Sequence, residues 1–192
     1  MKKIIQSESW PHRMIIDGVK IEQRIDIFEA LDKLSEICEP SQIIEIGTRR
    51  GGFTSILENH RISSNSDIFT FDIVKHKGHN FKRAQLILKD CFHCEEEIAQ
   101  IMQREGVTLL FCDGGNKIKE FNTFAKYLKP GDMIFAHDYI IDSETFEREF
   151  KGKLWNWHET SLQPISKTIE QENLKDILPE YFCKAVWKSC IK

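Results

Sequence analysis

Five carboxylates stand at the ends of five successive apolar runs: Glu45 in QIIEIGT, Asp72 in DIFTFDI, Asp90 in AQLILKDCF, Asp113 in VTLLFCDG and Asp138 in DMIFAHDY. Such groups accept hydrogen bonds from hydroxyl and amino donors, hold a hard cation, or take up a proton. Any one of them alone reads as a helix cap or a turn residue. Their recurrence at five consecutive run ends exceeds what capping requires. His137 precedes Asp138, so an imidazole able to ligate a metal or act as a base joins the same run end. The first run breaks into GTRRGG, Gly47 to Gly52, whose glycines leave the backbone open to a ligand.

These acids share one site only if the runs lie side by side as strands. The segments between them have helical character: about Gly52 to His60, Glu95 to Arg104 and Ile118 to Leu128. Alternating strands and helices with continuous apolar runs give a parallel sheet covered on both faces, with ligands outside the carboxyl ends of its strands. Upstream, Asp17-Gly18 between short apolar arms predicts a hairpin. Ile25, Phe28, Leu31, Leu34 and Ile37 predict an amphipathic helix over Glu22 to Cys38, closed by Pro40. Downstream, Trp155 and Trp157 alternate at strand spacing, as core packing, a substrate-stacking wall or a dimer contact. Ser166 to Leu178 reads as helix and Phe182 to Ile191 as a final strand, with Lys184 and Lys188 as edge charges. No linker or repeat divides the 192 residues, so a single domain over 1–192 is expected.

The glycine turn restricts the ligand. The dinucleotide fingerprint needs a middle glycine where Arg49 stands, and the Gly-Lys-Ser/Thr phosphate loop is absent. What remains is acid-x-Gly-x-x-x-Gly-x-x-Thr, given by Glu45, Gly47, Gly51 and Thr54. In this motif the chain resembles the class I S-adenosylmethionine-dependent methyltransferases. The resemblance implies a Rossmann-like three-layer α/β sandwich, its mostly parallel seven-stranded sheet ending in an antiparallel last strand. Residues 1–40 would cap the cofactor and substrate site. It further implies that Gly47, Thr48, Gly51 and Gly52 line S-adenosylmethionine, with Glu45 near its amino group. Asp72, followed by Ile73, would meet the ribose hydroxyls; Asp90, Cys91 and Phe92 would meet the adenine. Asp90 reads almost as well as a helix cap.

From Asp113 to Tyr139 the chain is similar to metal-dependent small-molecule O-methyltransferases, nearest the cephalosporin hydroxylase-like and rhamnosyl O-methyltransferase group. The similarity runs from about Ile15 to Tyr139. It implies an acceptor that is a small-molecule hydroxyl, such as a sugar or glycoside. It also implies a divalent cation, Mg or another, on Asp113, His137 and Asp138, with Asp113 on the cofactor side too. That group has an acid where this chain has His137, and a His or Lys where it has Asn116. A metal-free alternative therefore stays open, with His137 or Lys117 as the base. Two other readings stand beside it: an NAD or nucleotide-sugar enzyme, and a non-catalytic S-adenosylmethionine-binding module.

The net charge of −3 gives no broad electrostatic grip on nucleic acid, so no nucleic-acid partner is expected. No apolar segment approaches the ~18 residues of a membrane span, and MKKIIQSES has no signal-peptide core. The six cysteines then read as reduced thiols of a cytoplasmic protein. Cys91 and Cys94 in CFHC lack a second ligand pair for zinc, and His76 to Asn80 reads as a solvated loop. The expected partners are the small-molecule acceptor and, through the late tryptophans, a second copy of the chain.

Overall fold

The N-terminal arms pair as a three-stranded antiparallel sheet, β1 (Ile4–Gln6), β2 (Met14–Ile16) and β3 (Val19–Ile21), in the computed structural model. Residues 4–6, 13–16, 19–76, 80–153 and 155–192 are described. The expected hairpin is there as β2 and β3, with β1 added; its Asp17-Gly18 turn lies outside the described residues.

The strands that follow are β4 (Gln42–Ile46), β5 (Asp67–Asp72), β6 (Gln85–Leu88), β7 (Thr108–Cys112), β8 (Met133–Ala136), β9 (Lys175–Asp176) and β10 (Lys188–Ile191). They form one sheet in the order β6-β5-β4-β7-β8-β10-β9. Pairing is parallel from β6 to β8, and β10 runs antiparallel to both its neighbours. This is the expected Rossmann-like sandwich. The chain leaves β4 outward to β5 and β6, then returns to β7 on the other side, so the strand order reverses at β4 and β7. Ligands of open α/β sheets bind at the carboxyl ends of such a switch point.

Side-chain alternation assigns the two faces. Ile44, Ile46, Leu110 and Ile134 point to one, packed with residues of α3 (Glu95–Met102), α4 (Lys117–Phe124) and α6 (Gln163–Gln171). Ile43, Leu109, Phe111 and Phe135 point to the other, with residues of α1 (Ile27–Ile37), α2 (Gly52–Asn59), α7 (Pro179–Phe182) and the wholly buried Trp187. Glu45 falls on this second face, an acid at a core position.

The helix expected from Glu22 starts only at Ile27, because residues 22–26 form a bend and a turn. Its buried stripe is Ile27, Ala30, Leu31 and Leu34, the i, i+3, i+4, i+7 set, while Ile25 and Ile37 are exposed. A strict three-residue period drifts off a 3.6-residue helix, which is why those end positions misled. The C-terminal part also differs from expectation. The helix ends at Gln171, and Lys175–Asp176 forms the edge strand β9 within the segment read as helical. Pro179 opens a helical turn where it is pre-organised for N1, so the final strand begins at Lys188 rather than Phe182. Lys188 is not an edge charge: β10 is internal, and the buried ammonium pairs with Asp176 Oδ1 at 2.6 Å.

After β8 come α5 (Ser143–Thr145), a π turn (Phe146–Phe150) and a loop carrying Trp155 and Trp157, which among the described residues forms only isolated bridges and no strand. Among the described residues no helix is long and apolar enough to cross a membrane. All six cysteines are free thiols; burial pushes that of Cys91 up to about 12, unlike a metal-binding or redox thiol.

Candidate functional site

A cavity of about 950 Å3 opens at the switch point, beyond the carboxyl ends of β4 to β8. Its floor is the glycine turn. Gly47 has φ +95°, and a Cβ there would lie 2.2 Å from the Asp113 carbonyl oxygen. Glycine is thus demanded by the close approach of the turns after β4 and β7, besides any ligand. Gly51, φ +77°, is the N-cap of α2 and stands back from the cavity wall, whereas Gly52 lines it. Thr48 also lines it, its hydroxyl 2.5 Å from that of Thr70.

Glu45 is fully buried yet borders the cavity. Its Oε2 accepts from Thr54 at 2.5 Å and Thr70 at 2.6 Å, so the acid and threonine of the sequence motif meet. Its Oε1 is enclosed without a hydrogen-bond partner among the described residues. Burial pushes this carboxyl up to about 8, against the pull of the two threonine hydroxyls.

Along the same cavity lie the ends of β5 and β6. Asp72 Oδ2 accepts from Arg49 N–H at 2.6 Å and Oδ1 from Val74 N–H at 2.9 Å, which fixes the carboxylate. Ile73, 72% exposed, and Phe92 add apolar surface. Asp90 Oδ1 accepts from Phe92 N–H at 2.8 Å and so closes the turn ahead of α3, while Cys94 is the N-cap itself. Cys91, Asp90 and Phe92 all line the cavity, and Lys119 Nζ sits 3.8 Å from the Phe92 ring centre. Arg49, at φ +46°, pairs with Glu22, which also binds Arg13 at 3.0 Å; exposed Arg50 stands at the mouth. His76 lines the cavity too, and residues 77–79 lie outside the described residues.

The ends of β7 and β8 carry a second polar group. Asp113 Oδ1 lies 2.8 Å from His137 Nδ1, and Asp113 Oδ2 accepts from Gln23 Nε2 at 3.0 Å. Gln23 Oε1 in turn accepts from Trp187 Nε1 at 3.0 Å. His137, 6% exposed, packs against Trp187 with ring centres 4.4 Å apart; its Nε2 is enclosed without a partner among the described residues. Burial disfavours its charged form, but the carboxylates of Asp113 and Asp138 prevail and raise its pKa. Asp138 adopts φ +53°, a left-handed conformation that costs ~1–3 kcal/mol and collects at functional sites. Its Oδ1 is 3.7 Å from His137 Nδ1, and its Oδ2 is 3.1 Å from Lys117 Nζ.

Lys117, in the first turn of α4, is buried and also donates to Glu159 Oε2 at 2.5 Å. Burial would lower its pKa, but Asp138, Asp113 and Glu159 raise it strongly, so it stays an ammonium. Asn116 is the N-cap of α4, accepting from Lys119 N–H at 3.0 Å, which accounts for its place beside the site. Glu120 clamps the preceding turn through Gly114 N–H and Asn116 N–H. The late loop supplies the remaining wall with Trp155, Asn156, Trp157 and Glu159; Trp157 is 62% exposed and donates to Glu159 Oε1.

The structure therefore brings Glu45, Thr48, Asp72, Asp90, Asp113, Lys117, His137 and Asp138 to one cavity. Gln23, Glu159 and Trp187 had no signal in the sequence, since each reaches the group across a long chain separation, whereas Glu120, a few residues from the turn it clamps, reads there as an ordinary helix acid. The ligand atoms of Asp113, His137 and Asp138 lie within 4.8 Å of one another, close enough to surround a cation. Their protons oppose one. Both oxygens of Asp113 are engaged, and a His137 ligating through Nδ1 would have to carry its proton on Nε2, which has no acceptor among the described residues. Metal-bound imidazoles normally hold such an acceptor. With the Lys117 ammonium also pairing Asp138 at 3.1 Å, the donor set does not fit a resident divalent ion.

No protein-family model and no curated protein matches the sequence. Solved structures do match in fold. A cmcI structure with SAH aligns over 97% of this chain and 84% of its own, at TM-score 0.60 and 14% identity. MycE methyltransferase from the mycinamycin biosynthetic pathway, in complex with Mg, SAH and mycinamycin VI, aligns over 85% of this chain at TM-score 0.53 and 15% identity. This chain spans only 48% of the MycE chain. A fibrillarin/Nop5p complex aligns over 98% of this chain and 93% of its own, at TM-score 0.50 and 11% identity. At these identities the likeness is one of fold, the Rossmann-like fold of methyltransferases.

Proposed function

We propose that this chain is an S-adenosylmethionine-dependent methyltransferase whose acceptor is a hydroxyl of a small molecule, a sugar or glycoside. One observation carries the reading: Glu45, Asp72 and Asp90, from the adjacent strands β4, β5 and the end of β6, face one continuous cavity. Their order suits the cofactor's parts. The enclosed Glu45 Oε1 is an acceptor awaiting a cation such as the methionine ammonium. Asp72 offers its remaining lone pairs to the ribose hydroxyls, and Asp90, Cys91 and Phe92 flank the adenine. The SAH-bearing structures of like fold support the same ligand.

On the acceptor side, Trp157 gives an exposed ring face, with the planar polar groups of Asn156 and Glu159 beside it. Such a wall suits a ring carrying hydroxyls, in keeping with the motif resemblance to sugar O-methyltransferases. Transfer is an in-line displacement. A lone pair of the acceptor oxygen forms the C–O bond while the C–S bond breaks and sulfur keeps its electron pair. The hydroxyl proton becomes strongly acidic only as the C–O bond forms, so an ionised carboxylate suffices to take it. Asp138 fills that role: its Oδ1 lies beyond hydrogen-bond reach of His137. His137 positions the pair of carboxylates and is not the base, because Asp113 holds Nδ1 and Nε2 is enclosed. Lys117, held as an ammonium, is not the base either.

Transfer of labelled methyl from S-adenosylmethionine to a panel of glycosides tests this reading. Label in at least one glycoside, lost in Asp138→Ala, is the expected result; label in none, from protein that binds the cofactor, overturns the acceptor class.

A further inference from the structure

The cluster at the ends of β7 and β8 resembles a metal site in its residue types but is filled with protons. Three N–H donors converge on its two aspartates: Gln23 Nε2 and His137 Nδ1 on Asp113, and the Lys117 ammonium on Asp138. Gln23 is held in this sense by Trp187 Nε1, which occupies its oxygen. Lys117 is not a surface lysine that an ion could push aside. It is 9% exposed, starts α4, and is tied to Asp138 and Glu159 from two different loops.

We propose that Lys117 is the built-in cation of this site, standing where a divalent metal would otherwise neutralise Asp113 and Asp138. The ammonium has three N–H donors. Two point to Asp138 and Glu159, and the third is left for the acceptor oxygen in the cavity that Lys117 lines. That contact orients the hydroxyl so that a lone pair faces the methyl group and its proton faces Asp138. The role of the third donor rests on the methyltransferase reading; the exclusion of a metal does not.

Mn2+ binding separates the two. Wild-type protein, Lys117→Met and Lys117→Met/Asp138→Asn are titrated with MnCl2 and followed by the electron paramagnetic resonance of free Mn2+, with and without S-adenosylhomocysteine. Wild type is expected to show no saturable binding at about 1 mM Mn2+. Lys117→Met is expected to bind at least about tenfold more tightly than wild type, and the double variant to lose that gain. Saturable micromolar binding by wild type that Asp113→Asn abolishes would overturn the proposal, and it needs no variant of Lys117 to fold. A folded Lys117→Met that gains no affinity would overturn it as well. Failure to bind S-adenosylhomocysteine in the same samples counts against the methyltransferase reading alone.

Discussion

Glu45 and Thr54, nine residues apart across the glycine turn, share a 2.5 Å hydrogen bond inside the wall of the cavity. The bond occupies one carboxylate oxygen and leaves the other enclosed and, among the described residues, unpartnered. With its pKa pushed up to about 8, the carboxyl is mostly protonated at pH 7 until a cation arrives.

That sets a pH dependence. An ammonium-bearing ligand pairs with the ionised form, so its binding releases a proton below pH 8 and its affinity rises with pH up to about 8. Calorimetry in buffers of different ionisation enthalpy measures the release; Glu45→Gln abolishes it and weakens binding by about tenfold or more. For ligand-free protein the sign is opposite. The folded carboxyl holds its proton more tightly than the unfolded one, so its contribution to stability falls as pH rises from about 4.5 to about 8. Glu45→Gln flattens that fall in thermal melts.

Asp72→Ala weakens the nucleoside-bearing ligand by about tenfold to a hundredfold, because it removes the acceptors for two hydroxyls and frees the Arg49 and Val74 amides. The melting temperature changes little, since Asp72 is a strand-end residue outside the core. An unchanged ligand affinity contradicts the assignment.

Gly47→Ala acts on the fold. The new Cβ would meet the Asp113 carbonyl at 2.2 Å in a backbone of φ +95°. A loss of about 2 kcal/mol or more is expected in urea unfolding. The displaced turn after β7 lowers activity beyond what lost stability explains.

Trp157→Ala raises KM for the acceptor about tenfold with S-adenosylhomocysteine affinity unchanged, and Trp157→Phe restores most of it. Equal loss of both affinities places Trp157 outside the acceptor wall.

The sheet was legible because five apolar runs of buried strand length alternate with helical segments. The strand-end acids were legible because each run stops on one. The motif spacing from Glu45 to Thr54 was visible, but the hydrogen bond that explains it was not. Lys117 was visible as a neighbour of Asp113, yet its state depends on Glu159, 42 residues on, in a loop whose spacing reads as a strand. The same holds for Gln23 and Trp187, 164 residues apart and joined by a single hydrogen bond. The tryptophans misled in their element: their spacing fits a strand, but they lie in a loop walling the cavity.

On the proposed function, the cavity above Gly47 takes a nucleoside with an amino-acid tail. Calorimetric titration of folded protein with S-adenosylhomocysteine tests it most directly. Binding of one equivalent, with proton release below pH 8 that Glu45→Gln removes, is the predicted result. No heat of binding at up to about 1 mM ligand, with NAD binding in its place, would contradict it.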